Sequence, residues 1–133
     1  MHEFLPIRVD SAMNLAYPLG SKYKIAHGLS NAVMLPYVLE YNLPAAVDRF
    51  AEIAHAIGIN GYAYKEDSAK AAIWAIKEWI VSLNIPLKLS ALEIPEAALE
   101  EIAVSALKVQ RLLKNNVREI SYDDALAIYR KAY

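Results

Sequence analysis

Between Ser68 and Leu83 the apolar residues Ile73, Ile76, Ile80 and Leu83 recur at intervals of three and four, with Ala72 beside them, while Lys70, Lys77 and Glu78 fall mostly on other faces. That period matches the 3.6 residues of a helical turn, so the segment is predicted to be a helix with one buried side. The same spacing returns in Val47, Phe50, Ile53, Ala54 and Ile57. With only four glycines in 133 residues, and no β-branched stretch alternating with polar residues, helix is favoured nearly throughout. The expected fold is an all-α single domain of about six helices.

Breakers and caps set the expected order of elements. A first helix should run from Asp10 or Ser11 towards Tyr17 and stop at Pro18 and Gly20, leaving Ser21 to Ala26 as a loop. A second starts near His27 or Gly28 and reaches Tyr41, with Pro36 as a site for a kink; its wide apolar surface predicts a central position. Asn42 is a candidate cap for the third, with Pro44 in its first turn and Gly58 at its end. After the loop INGYAYKED comes the helix at Ser68 to Leu83, then a connector bracketed by Pro86 and Pro95. A fifth helix is expected from Glu96 to Leu113, acidic at its start and basic at its end, as the helix dipole favours. Lys114, Asn115, Asn116 and Arg118 read as a linking turn, and Ser121 with Asp124 as a capping-box variant opening the last helix.

Charge and composition narrow the function. Fourteen basic residues against fifteen acidic ones give a net charge of −1, so no broad positive field attracts nucleic acid or anionic lipid. The absence of cysteine removes disulfides and thiolate metal sites and agrees with a reducing, cytoplasmic setting. The N-terminal MHEFLPIRVD lacks the layout of an export signal. The long apolar region from Ala26 to Val47 is interrupted by Asn31, Pro36, Glu40, Asn42 and Pro44, which argues against a membrane span.

Few residues carry recognisable chemistry. There is no GxGxxG, GxxxxGK[ST], HExxH or GxSxG motif. His27, at the mouth of an apolar helix, could bind a metal, relay a proton or make an interior hydrogen bond; spacing alone favours the last, because the three histidines are widely separated and a metal site needs about four ligands. His55 reads as a packing or surface residue, and His2 falls in the terminal segment. Trp74, Trp79 and the tyrosines could form a stacking surface, but without a basic companion stripe core or rim packing is the simpler role.

Two blocks point further. The run AYPLGSKYKIAHGLSNAVMLPYVLEYN resembles the segment of iron-containing (group III) alcohol dehydrogenases that reads HALAYPLG or HAMAHPLG, a short loop, then PHGLANA and an apolar helix. RLLKNNVREISYDDALAIYRKAY is similar to their C-terminal RLLKNNPRE and capped last helix, with Val117 in place of the usual proline. The resemblance spans residues 11 to 133 and implies the helical, dehydroquinate synthase-like C-terminal domain of that family, with residues 1–10 as a segment whose origin the sequence leaves open. Enzymes of the family interconvert alcohols and aldehydes with NAD(P). They pair this domain with an N-terminal nucleotide-binding one and hold Fe(2+) or Zn(2+) between the two with one aspartate and three histidines.

By that resemblance His27 takes the place of the last histidine ligand. Met13 stands where the family has its other histidine of this domain, a thioether donor that suits Fe(II) or Zn(II) poorly. Tyr17 matches a position that is tyrosine or histidine in the family, where it either lines the cleft or packs. The aspartate and first histidine belong to the nucleotide-binding domain, so the expectation is weak metal binding and no turnover by this chain alone. The implied partners are that domain or a partner chain, and a second copy of this chain covering the exposed apolar face. Two alternatives stand beside the enzyme reading: a stand-alone helical interaction module without metal, and a small bundle binding an apolar ligand in the open cleft.

Overall fold

The computed structural model describes residues 10–108 and 120–133, the side chains of 10–14 and 27 excepted. Six α-helices fill these residues: α1 Asp10–Tyr23, α2 His27–Asn42, α3 Val47–Ala56, α4 Lys65–Ser82, α5 Leu99–Leu107 and α6 Tyr122–Ala132. Short 3-10 turns at Leu43–Ala45, Leu89–Leu92 and Glu96–Ala98 join them, and no strand occurs among the described residues. The all-α expectation holds.

Helix α2 is central, packing on α1, α4 and α6. Two apolar clusters use it. The larger gathers Leu15 and Leu19 of α1, Val33, Met34 and Val38 of α2, Ile102 and Ala106 of α5 and Tyr129 of α6, all buried. The smaller joins Leu39 to Ala46, Phe50, Ala69 and Ile73, seating the α3–α4 pair against the other face of α2. Opposite faces of one helix are both covered, which is why its sequence shows no polar stripe.

Helix α1 departs from expectation by running through Pro18 and Gly20 to Tyr23, so the loop shrinks to residues 24–26. An interior proline costs about 3 kcal/mol, but fully buried Leu15 and Leu19 flank it, and burying a leucine contributes about 2 kcal/mol. The apolar face outweighs the lost donor. The helix stops at Lys24 instead, where φ is 56°; its N–H closes on the Gly20 carbonyl at 3.0 Å and the Ile25 N–H reaches the Leu19 carbonyl at 3.5 Å. A Cβ at Gly20 would lie 3.3 Å from the Ile25 carbonyl oxygen, so glycine here makes room for the reversal and does not break the helix.

Other boundaries shift modestly. Asn42 ends α2 and gives no side-chain cap; Pro44 lies in the 3-10 turn, and Ala46 precedes α3. Helix α4 begins at Lys65, before Ser68, with Glu66 and Asp67 complementing its dipole. Gly58, at φ 89°, ends α3 as expected: its N–H bonds the His55 carbonyl and the Ile59 N–H bonds that of Ala54, the paired closure of a Schellman motif. Pro95 precedes the 3-10 turn that leads into α5. That helix runs from Leu99 and ends at Leu107, where the Lys108 N–H turns back to the Ser105 carbonyl, short of the expected Leu113, and the turn expected at 114–118 lies outside the described residues. Ser121 and Asp124 form the expected capping box.

Trp74 and Trp79 are not core residues: they are 63% and 62% exposed. Ile57 and Leu83, expected on buried faces, are also exposed, each sitting just beyond the last residue of its helix.

Candidate functional site

The residues singled out by sequence gather on α1 and the start of α2. Met13 lies near the beginning of α1, Tyr17 one turn later, and His27 is the first residue of α2 after the three-residue reversal. Helices α1 and α2 pack together, so this reversal is tightly held. Ser30 fixes the first turn of α2 twice, through its N–H at 2.9 Å and its hydroxyl at 3.1 Å, both donating to the Ala26 carbonyl. Ala26 offers no side-chain acceptor to the first turn of α2, and that turn contains no acidic residue. Gly28 is exposed, and an added Cβ would meet nothing within 4 Å.

Tyr17 is 59% exposed while its neighbours Leu15, Ala16, Pro18 and Leu19 are buried, so its ring is not part of this domain's core. His55 sits exposed on α3, with Nδ1 3.0 Å from Asn60 Oδ1. It is remote in sequence and element from His27, and His2 lies outside the described residues.

No group of three or more His, Asp, Glu or Cys side chains converges among the described residues. The two positions that the family resemblance singles out are one imidazole, His27 of α2, and one thioether, Met13 of α1. An ordinary Fe(II) or Zn(II) centre takes four or more donors, chiefly imidazole nitrogen and carboxylate oxygen, so two donors of which one is soft fall short.

The strongest polar arrangement lies elsewhere, and sequence reasoning missed it. Glu40, near the end of α2, pairs with Lys77 of α4 and, at 2.7 Å, with Lys131 of α6. Burial raises the Glu40 pKa, but the hydrogen bonds and charges of Lys131 and Lys77 outweigh it and hold the carboxyl below its ordinary value. Beside it the Tyr37 hydroxyl donates to the Leu87 carbonyl, and Lys77 and Lys88 stand 5.6 and 5.7 Å from the ring centre. Burial, then the charge of Glu40, pushes the Tyr37 pKa up. The available signal was that Glu40 is the one charged residue between Ala26 and Val47. A carboxylate kept in so apolar a run needs partners from other helices.

Among the described residues, no helix is long and apolar enough to cross a membrane.

Comparison with known proteins places this arrangement. The model of the Fe-containing alcohol dehydrogenase family, C-terminal, matches residues 7–133. The chain is 37% identical over 120 residues to long-chain-alcohol dehydrogenase 1 of Geobacillus thermodenitrificans (strain NG80-2), covering 90% of this chain and 30% of that protein. It is also 37% identical over 120 residues to 1,3-propanediol dehydrogenase of Klebsiella pneumoniae, again 90% of this chain and 31% of the relative. Among solved structures, a 1,3-propanediol oxidoreductase superposes with a TM-score of 0.86 at 35% identity, covering 92% of this chain and 32% of that one. The chain thus spans about 30% of the length of the curated relatives it matches. A family match over nearly every residue, on a helical fold shared with a solved oxidoreductase, shows that the chain belongs to the Fe-containing alcohol dehydrogenase family and corresponds to its C-terminal domain.

Proposed function

We propose that this chain supplies the helical part of an alcohol dehydrogenase-type oxidoreductase that interconverts alcohols and aldehydes with NAD(P) in the cytoplasm, and that it does not turn over alone. The observation that carries the reading is the family match over residues 7–133, which favours an enzyme domain over a stand-alone interaction module. Hydride transfer needs a nicotinamide ring held against the alcohol carbon, and the chain carries no glycine-rich dinucleotide motif with which to hold one. A nucleotide-binding domain, on the same or another chain, is therefore the required partner.

His27 is the one family-type metal ligand this chain contributes, and Met13 the position at which a second has been exchanged for sulfur. Tyr17, exposed on the same helix as Met13, lines the cleft facing the partner domain. Self-association belongs to the same reading: the exposed Trp79 and Val81 of α4, with Leu83 just after it, are apolar area that a second copy would cover.

Calorimetric titration of the purified chain with Fe(II) and Zn(II) tests the metal assignment. Weak binding or none is expected, and Met13→His should raise affinity by about tenfold or more, a gain removed again by His27→Ala. Tight stoichiometric binding by the unaltered chain would refute the assignment. Assay with NAD(P) and a primary alcohol should show turnover only when a nucleotide-binding domain is supplied.

A further inference from the structure

Away from the α1–α2 reversal the molecule has an open groove of about 360 Å³ between α2, α4 and α6. Glu40, Lys70, Trp74, Lys77 and Lys131 line it, over an apolar floor of Leu43 and Ile73. It sits near the far end of α2 from His27, thirteen residues along, or about 20 Å at 1.5 Å per residue. It is therefore separate from the candidate metal position.

Three amines face one carboxylate here, and that carboxylate is already engaged: Glu40 pairs with Lys77 and Lys131. Lys70 forms no ion pair among the described residues. Trp74 follows Lys70 by four positions and precedes Lys77 by three, so one helical face presents amine, indole, amine in sequence. The indole is 63% exposed, a large apolar surface left in water beside unneutralised positive charge. A cation would be repelled, and a neutral apolar molecule would leave Lys70 unmatched. The groove is too small, and the chain's net charge too low, for a nucleic-acid track.

We propose that this groove binds a small planar carboxylate, its apolar ring against Trp74 and the floor of Leu43 and Ile73, its carboxylate on Lys70. Stacking and charge pairing then act on one molecule, the pattern of a small-ligand site with an apolar lining and few placed polar groups.

The test titrates the chain with 2-naphthoate, and in parallel with neutral 2-naphthalenemethanol, following the indole N–H resonances of Trp74 and Trp79 by NMR. The Trp74 signal should shift saturably with naphthoate while that of Trp79 stays in place, and the alcohol should bind about tenfold more weakly or worse. Lys70→Glu, at an exposed position that leaves the core untouched, should lower naphthoate affinity by about tenfold or more, and Trp74→Ala should abolish saturable binding. Equal binding of acid and alcohol, equal shifts of both indoles, or indifference to Lys70→Glu would overturn the proposal. So would a Trp74 signal that moves with protein concentration and not with ligand, which would assign the groove to a second copy of the chain.

Discussion

The hydroxyl of Tyr129, on α6, donates a hydrogen bond of 2.5 Å to the backbone carbonyl of Leu15, on α1, joining residues 114 positions apart. Both are fully buried. The bond ties the last helix to the first in the middle of the larger cluster, three residues before the proline that α1 absorbs. Tyr133 does the same for the connector, donating to the Ile94 carbonyl at 2.8 Å.

Tyr129→Phe keeps the ring and removes the donor, leaving the Leu15 carbonyl without this partner. A loss of about 1–3 kcal/mol is expected, read as a lower urea midpoint with unchanged slope. The same contact sets an alkaline limit. Burial pushes the Tyr129 pKa well above its ordinary 10.0, so the folded state resists ionisation that the unfolded chain permits. Stability from this group is fully present below pH 10 and is lost as pH rises beyond it; Tyr129→Phe should flatten that alkaline loss.

Glu40 bridges α2 to both α4 and α6, so Glu40→Gln removes one charge and leaves Lys77 and Lys131 without their counter-charge. Lys131 is well exposed, which screens its share, and the expected cost is about 1 kcal/mol. Because the folded pKa of Glu40 lies below its ordinary 4.5, its contribution is present above pH 4.5 and is lost as pH falls through the lowered value. Acid unfolding of Glu40→Gln should show a shallower dependence in that window. An unchanged profile would mean the bridge contributes nothing in solution.

The capping box at α6 offers a cleaner comparison. Ser121 Oγ accepts from the Asp124 N–H at 3.2 Å, and Asp124 Oδ2 accepts from the Ser121 N–H at 3.0 Å. Ser121→Ala should cost about 1 kcal/mol, and Ser121→Gly only a few tenths, in thermal or urea unfolding.

Two glycines with equally empty surroundings should respond with opposite signs. Neither Gly28 nor Gly58 would bring an added Cβ within 4 Å of another group, but Gly58 holds φ at 89° and Gly28 sits in a helix. Gly58→Ala should destabilise by about 1 kcal/mol through backbone strain, whereas Gly28→Ala should stabilise by about 0.5 kcal/mol. Equal effects would show that conformation is not what separates the two sites.

The sequence by itself determined whatever depends on neighbours within a turn or two. Helical period placed Phe50, Ala54, Ile73 and Ile80 on buried faces, Gly58 ended its helix, and Ser121 with Asp124 capped theirs. Those outcomes rest on local geometry, which residue order encodes directly. The two family-like blocks, being contiguous runs, were legible for the same reason.

Only the tertiary structure decided what depends on segments remote in sequence. Pro18 reads as a stop, yet the burial of Leu15 and Leu19 against other helices carries α1 through it. Trp74 and Trp79 read as packing residues, yet both rings are exposed. Glu40 reads as an interruption, yet lysines 37 and 91 residues further on converge on it. In each case the deciding energy is a desolvation or an ion pair set by distance in space, and chain position says little about that distance.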